Sequence, residues 1–188
     1  MSDYKIVIPA RYASSRLPGK PLIDLAGKPM IQHVYERALA AGVSEVVIAT
    51  DDERIKLAAE AFGAEVVMTS LDHENGTERI AEVAIIKGWA DDVVIVNLQG
   101  DEPLIPRELI ELTAKGLLDN PEAGMSSVCT PVHDVEEAFD PNAVKVVLDQ
   151  RQFAMTFSRA PIPWDRDLYK QSRDTLTSRM PVLRHIGM

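Results

Sequence analysis

Through about residue 118, short β-branched runs alternate with stretches whose apolar residues recur every three or four positions. That alternation is the pattern of a parallel sheet wound with helices. Strands are predicted at residues 4–9, 45–50, 65–68 and 92–98. Val94, Ile95 and Val96 are apolar on both faces, as a central parallel strand must be. A helix face is formed by Ile31, Val34, Tyr35, Ala38 and Leu39, with Gly42 as its stop, and a second by Ile55, Ala58, Ala59 and Phe62, closed by Gly63. A third helix is expected to begin near Thr77, with Ile80, Val83 and Ala84 inward. A fourth should begin at Pro106, with Leu109, Leu112 and Thr113 on one side.

The remaining third has another character. Strands are predicted at 125–132, 143–148, 153–158 and 182–188, with little helix between them. The Ala-Pro-Ile-Pro-Trp stretch at 160–164 is expected to be extended. Residues 165–179 are polar and without period, which predicts a loop.

Composition narrows the function classes. The 188 residues hold 20 Lys and Arg against 29 Asp and Glu, a net charge of −9, which argues against a nucleic-acid or membrane-surface binder. No uninterrupted apolar run exceeds four residues, far short of the roughly 20 a membrane span needs. The first five residues have neither the basic region nor the apolar stretch of a signal peptide, so a cytoplasmic location is expected. The single cysteine, Cys129, is expected to be a buried, inert thiol, and His33, off its helix stripe, to be exposed.

Against this acidic background one segment is cationic. After the first strand, Arg11, Arg16, Lys20 and Lys28 stand against one acid, Asp24. In an open α/β sheet, ligands bind beyond the carboxyl ends of the strands, so a cationic cluster there suits a small polyanion such as a nucleoside triphosphate. It is neither of two common phosphate loops. Lys20 is followed by Pro21 rather than Ser or Thr, and none of the ten glycines forms a Gly-x-Gly pair.

Past the fourth strand, Asp101 follows Gly100 and could hold Mg²⁺ or simply cap a turn. Of the acids after the second strand, Asp52 is favoured as a helix cap. The segment from Asp72 to Arg79 could present backbone N–H groups and Arg79 to an anion, or could be a plain helix start with Arg79 in water.

Together, the segments Pro9-Ala10-Arg11-x-x-Ser14-x-Arg16-Leu17-Pro18-Gly19-Lys20-Pro21, Asp72 to Arg79, Asn97 to Pro103, Phe157-Ser158-Arg159-Ala160-x-Ile162-Pro163-Trp164 and Arg184-His185-x-Gly187 closely resemble the 3-deoxy-D-manno-octulosonate (Kdo) cytidylyltransferases, or CMP-Kdo synthetases. The resemblance runs in order from about Tyr4 to the last residue. It implies a Rossmann-like α/β fold of the nucleotide-diphospho-sugar transferases, a mostly parallel sheet flanked by helices with a strand-rich C-terminal part. It implies a single domain over 1–188, with a CTP-binding half at 1–120 and a sugar-binding and dimerisation part at 121–188. The implied reaction is CTP and Kdo to CMP-Kdo and pyrophosphate, for lipopolysaccharide biosynthesis, in a homodimer.

The residue roles implied are these. Arg11, Arg16 and Lys20 match the triphosphate loop, and Ala10, Arg11, Gly76 and Thr77 the backbone that holds cytidine. Asp101 matches a Mg²⁺ ligand, the metal bridging the α-phosphate and the sugar. Gln99, Arg79, Arg159 and His185 match the sugar site. A second metal-binding aspartate of the family lies in a Gly-x-Asp-Thr-Pro-type segment that does not occur before Met188, so a C-terminally truncated version with an incomplete metal site is expected. The alternatives are a CMP-sialic acid synthetase or another acid-sugar nucleotidyltransferase, and an inactive nucleotide-binding fragment. An amino-Kdo analogue is an open alternative to Kdo itself.

Overall fold

A computed structural model describes residues 4–13, 17–177 and 179–187. By internal contacts the chain divides into two units, the first through Ser126 and the second Ser127–Gly187.

The first unit begins with β1 (Tyr4–Ala10), a 3-10 turn (Lys20–Leu22) and a two-residue hairpin of β2 (Asp24–Leu25) and β3 (Lys28–Pro29). It continues with α1 (Met30–Ala40), β4 (Val46–Thr50), α2 (Glu53–Ala61), β5 (Glu65–Met68), α3 (Gly76–Lys87), β6 (Val94–Asn97) and α4 (Arg107–Leu118). Four strands form one parallel sheet in the order β5-β4-β1-β6. Strand order reverses between β1 and β6, which leaves a crevice at their carboxyl ends.

Alternation along β1 sends its side chains to two cores. Ile6 and Ile8 pack with Ile31, Val34 and Ala38 of α1, Ile55 and Ala59 of α2, and Ile110 and Ala114 of α4. Val7 faces the other way, joining Val47, Ala49, Val67, Ile80 and Val83 under α3. Each such fully buried aliphatic side chain contributes about 1.5–3 kcal/mol, so truncating Ile8 would cost about 2–5 kcal/mol.

Two helix starts fix loops that matter below. The Asp52 carboxylate caps α2 by accepting from the Arg54 N–H at 2.9 Å, the capping role expected for it. Asn75 caps α3, accepting from the Glu78 N–H at 3.0 Å, while the Glu78 carboxylate accepts in return from the Glu74 N–H at 2.9 Å and the Asn75 amide at 2.8 Å.

The stripe of α4 differs from expectation. Ile110, Thr113 and Ala114 are buried, whereas Leu112 is 58% exposed. Leu112 lies two residues from Ile110, about 200° around the helix, and so faces away from the sheet.

The second unit holds β7 (Val128–Pro131), α5 (Val135–Phe139), β8 (Lys145–Leu148), β9 (Ala154–Ser158), α6 (Arg166–Gln171) and β10 (Leu183–Ile186). Its strands form an antiparallel sheet in the order β7-β10-β8-β9. The stretch expected to be a loop contains α6, capped by the Asp165 carboxylate on the Leu168 N–H at 3.1 Å. This helix buries Tyr169, whose ring meets Phe139 and Trp164 at 5.4 and 4.9 Å. With one buried side chain it has no period to read. The chain at 160–164 bends rather than running extended, with a cis peptide between Ile162 and Pro163.

Candidate active site

A pocket of about 310 Å³ opens where β1 and β6 end. Ala10 and Arg11 reach it from β1, Lys20 from the 3-10 turn, Gly76 from the start of α3, and Gln99, Gly100 and Asp101 from the segment after β6. Pro9 explains both glycines. A Cβ on Gly100 would lie 2.9 Å from the Pro9 carbonyl oxygen, and one on Gly76 would lie 3.3 Å from the Pro9 ring. The first of these is a collision, so only glycine lets the β6 loop approach β1 this closely.

Cationic groups meet this crevice. The Arg11 guanidinium donates from one nitrogen to the Glu74 carbonyl at 3.3 Å, and its second terminal nitrogen is buried with no protein partner. A buried donor without an acceptor costs free energy that an anionic ligand would recover. Lys20 Nζ lies 2.7 Å from Asp101 Oδ2, with the two side chains 38% and 49% exposed. Arg16 and Ser14 lie outside the described residues. Thr77 follows Gly76 on the first turn of α3, where N–H groups have no carbonyl in the helix to meet.

Asp101 is the pocket's half-exposed acid after β6. Among the described residues no group of three or more His, Cys, Asp or Glu could hold a metal ion. A single hard carboxylate, once released from Lys20, fits Mg²⁺, which takes one or two protein carboxylates and completes its shell with water and phosphate oxygens. It does not fit zinc, which needs three or four protein donors.

Arg79 borders the pocket but does not stand in water as a free first-turn cation would. Its side chain is fully buried. One terminal nitrogen bonds Asp51 at 2.5 Å, the other bonds the Thr69 hydroxyl, and Nε is buried without a partner. Asp51 follows β4 and Thr69 follows β5, so neighbouring strands deliver both partners. The adjacency of Asp51 and Asp52 was the available signal: only one acid can cap α2, and the other is left for a different partner.

In the second unit, the Arg159 guanidinium donates to the Pro141 carbonyl at 2.8 Å. Lys145, fully buried, donates to the flanking carbonyls of Asp140 and Ala143 at 2.7 and 2.6 Å. Burial pulls its ammonium below the ordinary lysine value. His185 packs against Phe157 at 5.0 Å and lies 2.7 Å from Ser127 Oγ through Nε2. The single Ser127 hydroxyl proton goes to the Ile186 carbonyl at 3.0 Å, so His185 Nε2 carries a proton and donates to Ser127. Burial lowers the His185 pKa.

Two minor expectations are corrected. His33 is partly buried and bonds the Leu25 carbonyl at 2.6 Å, because the β2–β3 hairpin folds onto α1. Cys129 is partly exposed rather than buried, being on the four-residue edge strand β7 of the antiparallel sheet.

Comparison with known proteins agrees with this geometry. The family model described as cytidylyltransferase matches residues 5–187. A 3-deoxy-manno-octulosonate cytidylyltransferase of Thioalkalivibrio sulfidiphilus is 58% identical over 187 residues, covering 99% of this chain and 74% of the relative. One of Coxiella burnetii is 53% identical over 186 residues, with the same two coverages, 99% and 74%. Among solved structures, CMP:2-keto-3-deoxy-manno-octonic acid synthetase complexed with CTP superposes with a TM-score of 0.86 at 48% identity, over 98% of this chain and 72% of that one. A cytidylyltransferase of Leptospira borgpetersenii gives a TM-score of 0.54 at 27% identity, over 64% of this chain and 50% of that one. The chain belongs to the cytidylyltransferase family, and within it to the 3-deoxy-manno-octulosonate cytidylyltransferases.

Proposed function

We propose that this nucleotidyltransferase moves the cytidylyl group of CTP to the anomeric hydroxyl of Kdo and releases pyrophosphate, activating the sugar acid for lipopolysaccharide assembly. A bond forms between the sugar oxygen and the α-phosphorus, the bond to the β-phosphate breaks, and the hydroxyl proton leaves to solvent. Position and charge neutralisation dominate such a transfer. One observation carries the reading: at the reversal of strand order, Arg11 has a buried donor without a partner and Lys20 faces the same pocket.

In this reading Arg11 and Lys20, with Arg16, neutralise charge on the departing pyrophosphate. Backbone at Ala10, Gly76 and Thr77 cradles the cytidine. Asp101 would hold Mg²⁺, which when bound draws charge from the phosphates. Gln99, which lines the same pocket, offers its amide to the sugar's hydroxyls, while Arg79, held by Asp51 and Thr69, supports the pocket wall from within. The enzyme is read as a cytoplasmic homodimer. No helix among the described residues is long and apolar enough to cross a membrane, and β9 exposes Met155 and Phe157 by 68% and 52%, apolar area suited to a second copy.

The test is ³¹P NMR of the protein with CTP, MgCl₂ and Kdo. A new phosphodiester signal and an equal amount of pyrophosphate are expected, with sialic acid inert. Transfer to sialic acid with Kdo inert would move the chain to the sialic acid branch. CTP binding without pyrophosphate from either sugar would make it a binding module.

A further inference from the structure

Arg11 and Lys20 present their charges from two places on the chain, and one small cluster joins them. The Gly19 N–H donates to the Tyr12 carbonyl at 2.8 Å. Arg11 precedes the first of these residues and Lys20 follows the second, so a single hydrogen bond ties the two cation-bearing positions together. The Tyr12 ring then closes over Gly19. A Cβ there would meet two ring carbons at 3.1 Å and the hydroxyl oxygen at 3.2 Å, and Gly19 has a φ of +72°, so no other residue fits without strain.

Tyr12 is also held from α2. The Arg54 guanidinium lies 3.3 Å from the ring centroid. Its own position is fixed by Asp52, which accepts from Arg54 Nε at 2.9 Å and from a terminal nitrogen at 2.6 Å while capping the helix. The same acid that starts α2 therefore orients a cation onto the tyrosine. Tyr12 also packs on the main core beneath β1. Guanidinium, ring and glycine form a stack anchored on a helix of the sheet.

We propose that Tyr12, clasped between Arg54 and Gly19, is a positioning residue for triphosphate recognition. The stack sets where Arg11 and Lys20 point, and so governs the grip on the β- and γ-phosphates without touching them. Ordering a loop on binding costs conformational entropy, and a loop whose backbone is already anchored through Tyr12 and Gly19 avoids part of that cost. This rests on the reading of Arg11 and Lys20 as phosphate ligands. CMP, which lacks the two outer phosphates, should be indifferent to the clasp.

The experiment is calorimetric titration of the chain with CTP and with CMP in Mg²⁺, with melting curves on every variant. Tyr12→Ala should weaken CTP about tenfold or more while leaving CMP within about twofold. Tyr12→Phe, which keeps the ring, should restore CTP binding to within about twofold of the original. Arg54→Gln should cost CTP binding about threefold to tenfold alone and add little in the Tyr12→Ala background, because the two act through one stack. Equal weakening of CTP and CMP, or an undiminished effect of Arg54→Gln without the ring, would overturn the clasp. Arg54 is on the surface, so Arg54→Gln decides the matter if Tyr12→Ala does not fold. An unmodified chain that binds CTP no better than CMP would overturn the phosphate reading itself. A clear preference for CTP that no variant reduces would sink the clasp alone.

Discussion

Lys20 and Asp101, 81 residues apart in sequence, form an ion pair at 2.7 Å on the rim of the pocket. Each is the natural partner of something the pocket would bind: the lysine of a phosphate, the carboxylate of a metal ion. In the free protein each neutralises the other.

Two substitutions separate their roles. An exposed pair of this kind is worth about 0–1 kcal/mol, so Lys20→Met and Asp101→Asn should both melt close to the unmodified chain. In EDTA, Lys20→Met should weaken CTP about tenfold, while Asp101→Asn should bind CTP as well as before or better, since Lys20 is released. With Mg²⁺, Asp101→Asn should slow pyrophosphate release by about 10²-fold or more. Weaker CTP binding by Asp101→Asn in EDTA would contradict this division.

The Arg79–Asp51 pair should behave oppositely. Arg79 is fully buried, and removing the carboxylate takes away the acid it is bonded to. Asp51→Ala is expected to destabilise the protein by about 3–5 kcal/mol in urea unfolding. A loss below about 1 kcal/mol would mean that Arg79 finds another partner or water.

Gly100 tests the floor of the pocket. Because an added Cβ would sit 2.9 Å from the Pro9 carbonyl, Gly100→Ala must displace backbone, at a cost of about 1–3 kcal/mol. CTP affinity should fall as Asp101 shifts with the loop. Unchanged melting and affinity would place the loop elsewhere.

His185 gives a pH dependence. Burial beside Phe157 and Ser127 lowers its pKa in the folded protein, whereas the unfolded chain titrates near the ordinary value of about 6.5. Below that value the unfolded state binds the proton more readily. The stability contributed by neutral His185 is therefore present above pH of about 6.5 and is lost as pH falls through it. Melting temperature should drop between pH of about 7.5 and 5.5 more steeply for the unmodified chain than for His185→Gln. Parallel curves would remove this group from the account.

Much of this was legible in the sequence. Strands β1, β4 and β6 were readable because Ile8, Val47 and Val96 belong to continuous apolar runs, and the edge strand β5 because Val66 and Val67 form a short β-branched run. The quoted motifs identified Ala10, Arg11, Lys20, Gly76, Gln99 and Asp101, which the fold brings to one pocket. For Arg79 the sequence offered only a spare acid beside the cap at Asp52; which residue it meets was not legible, since the partners of Arg79 lie 28 and 10 residues away and meet it only when β4 and β5 pair. The same holds for Tyr12, whose ring is placed by Arg54 and Gly19 rather than by local pattern. The α6 helix escaped because Tyr169 is its one buried side chain.

A crystal structure of this chain with CTP and Mg²⁺ tests the central claim most directly. The account places the triphosphate beside Arg11 and Lys20, with the Lys20–Asp101 pair opened, and the cytidine against the backbone of Ala10 and Gly76. CTP bound elsewhere, or in this pocket with Lys20 still paired to Asp101 and no phosphate on Arg11, would contradict it.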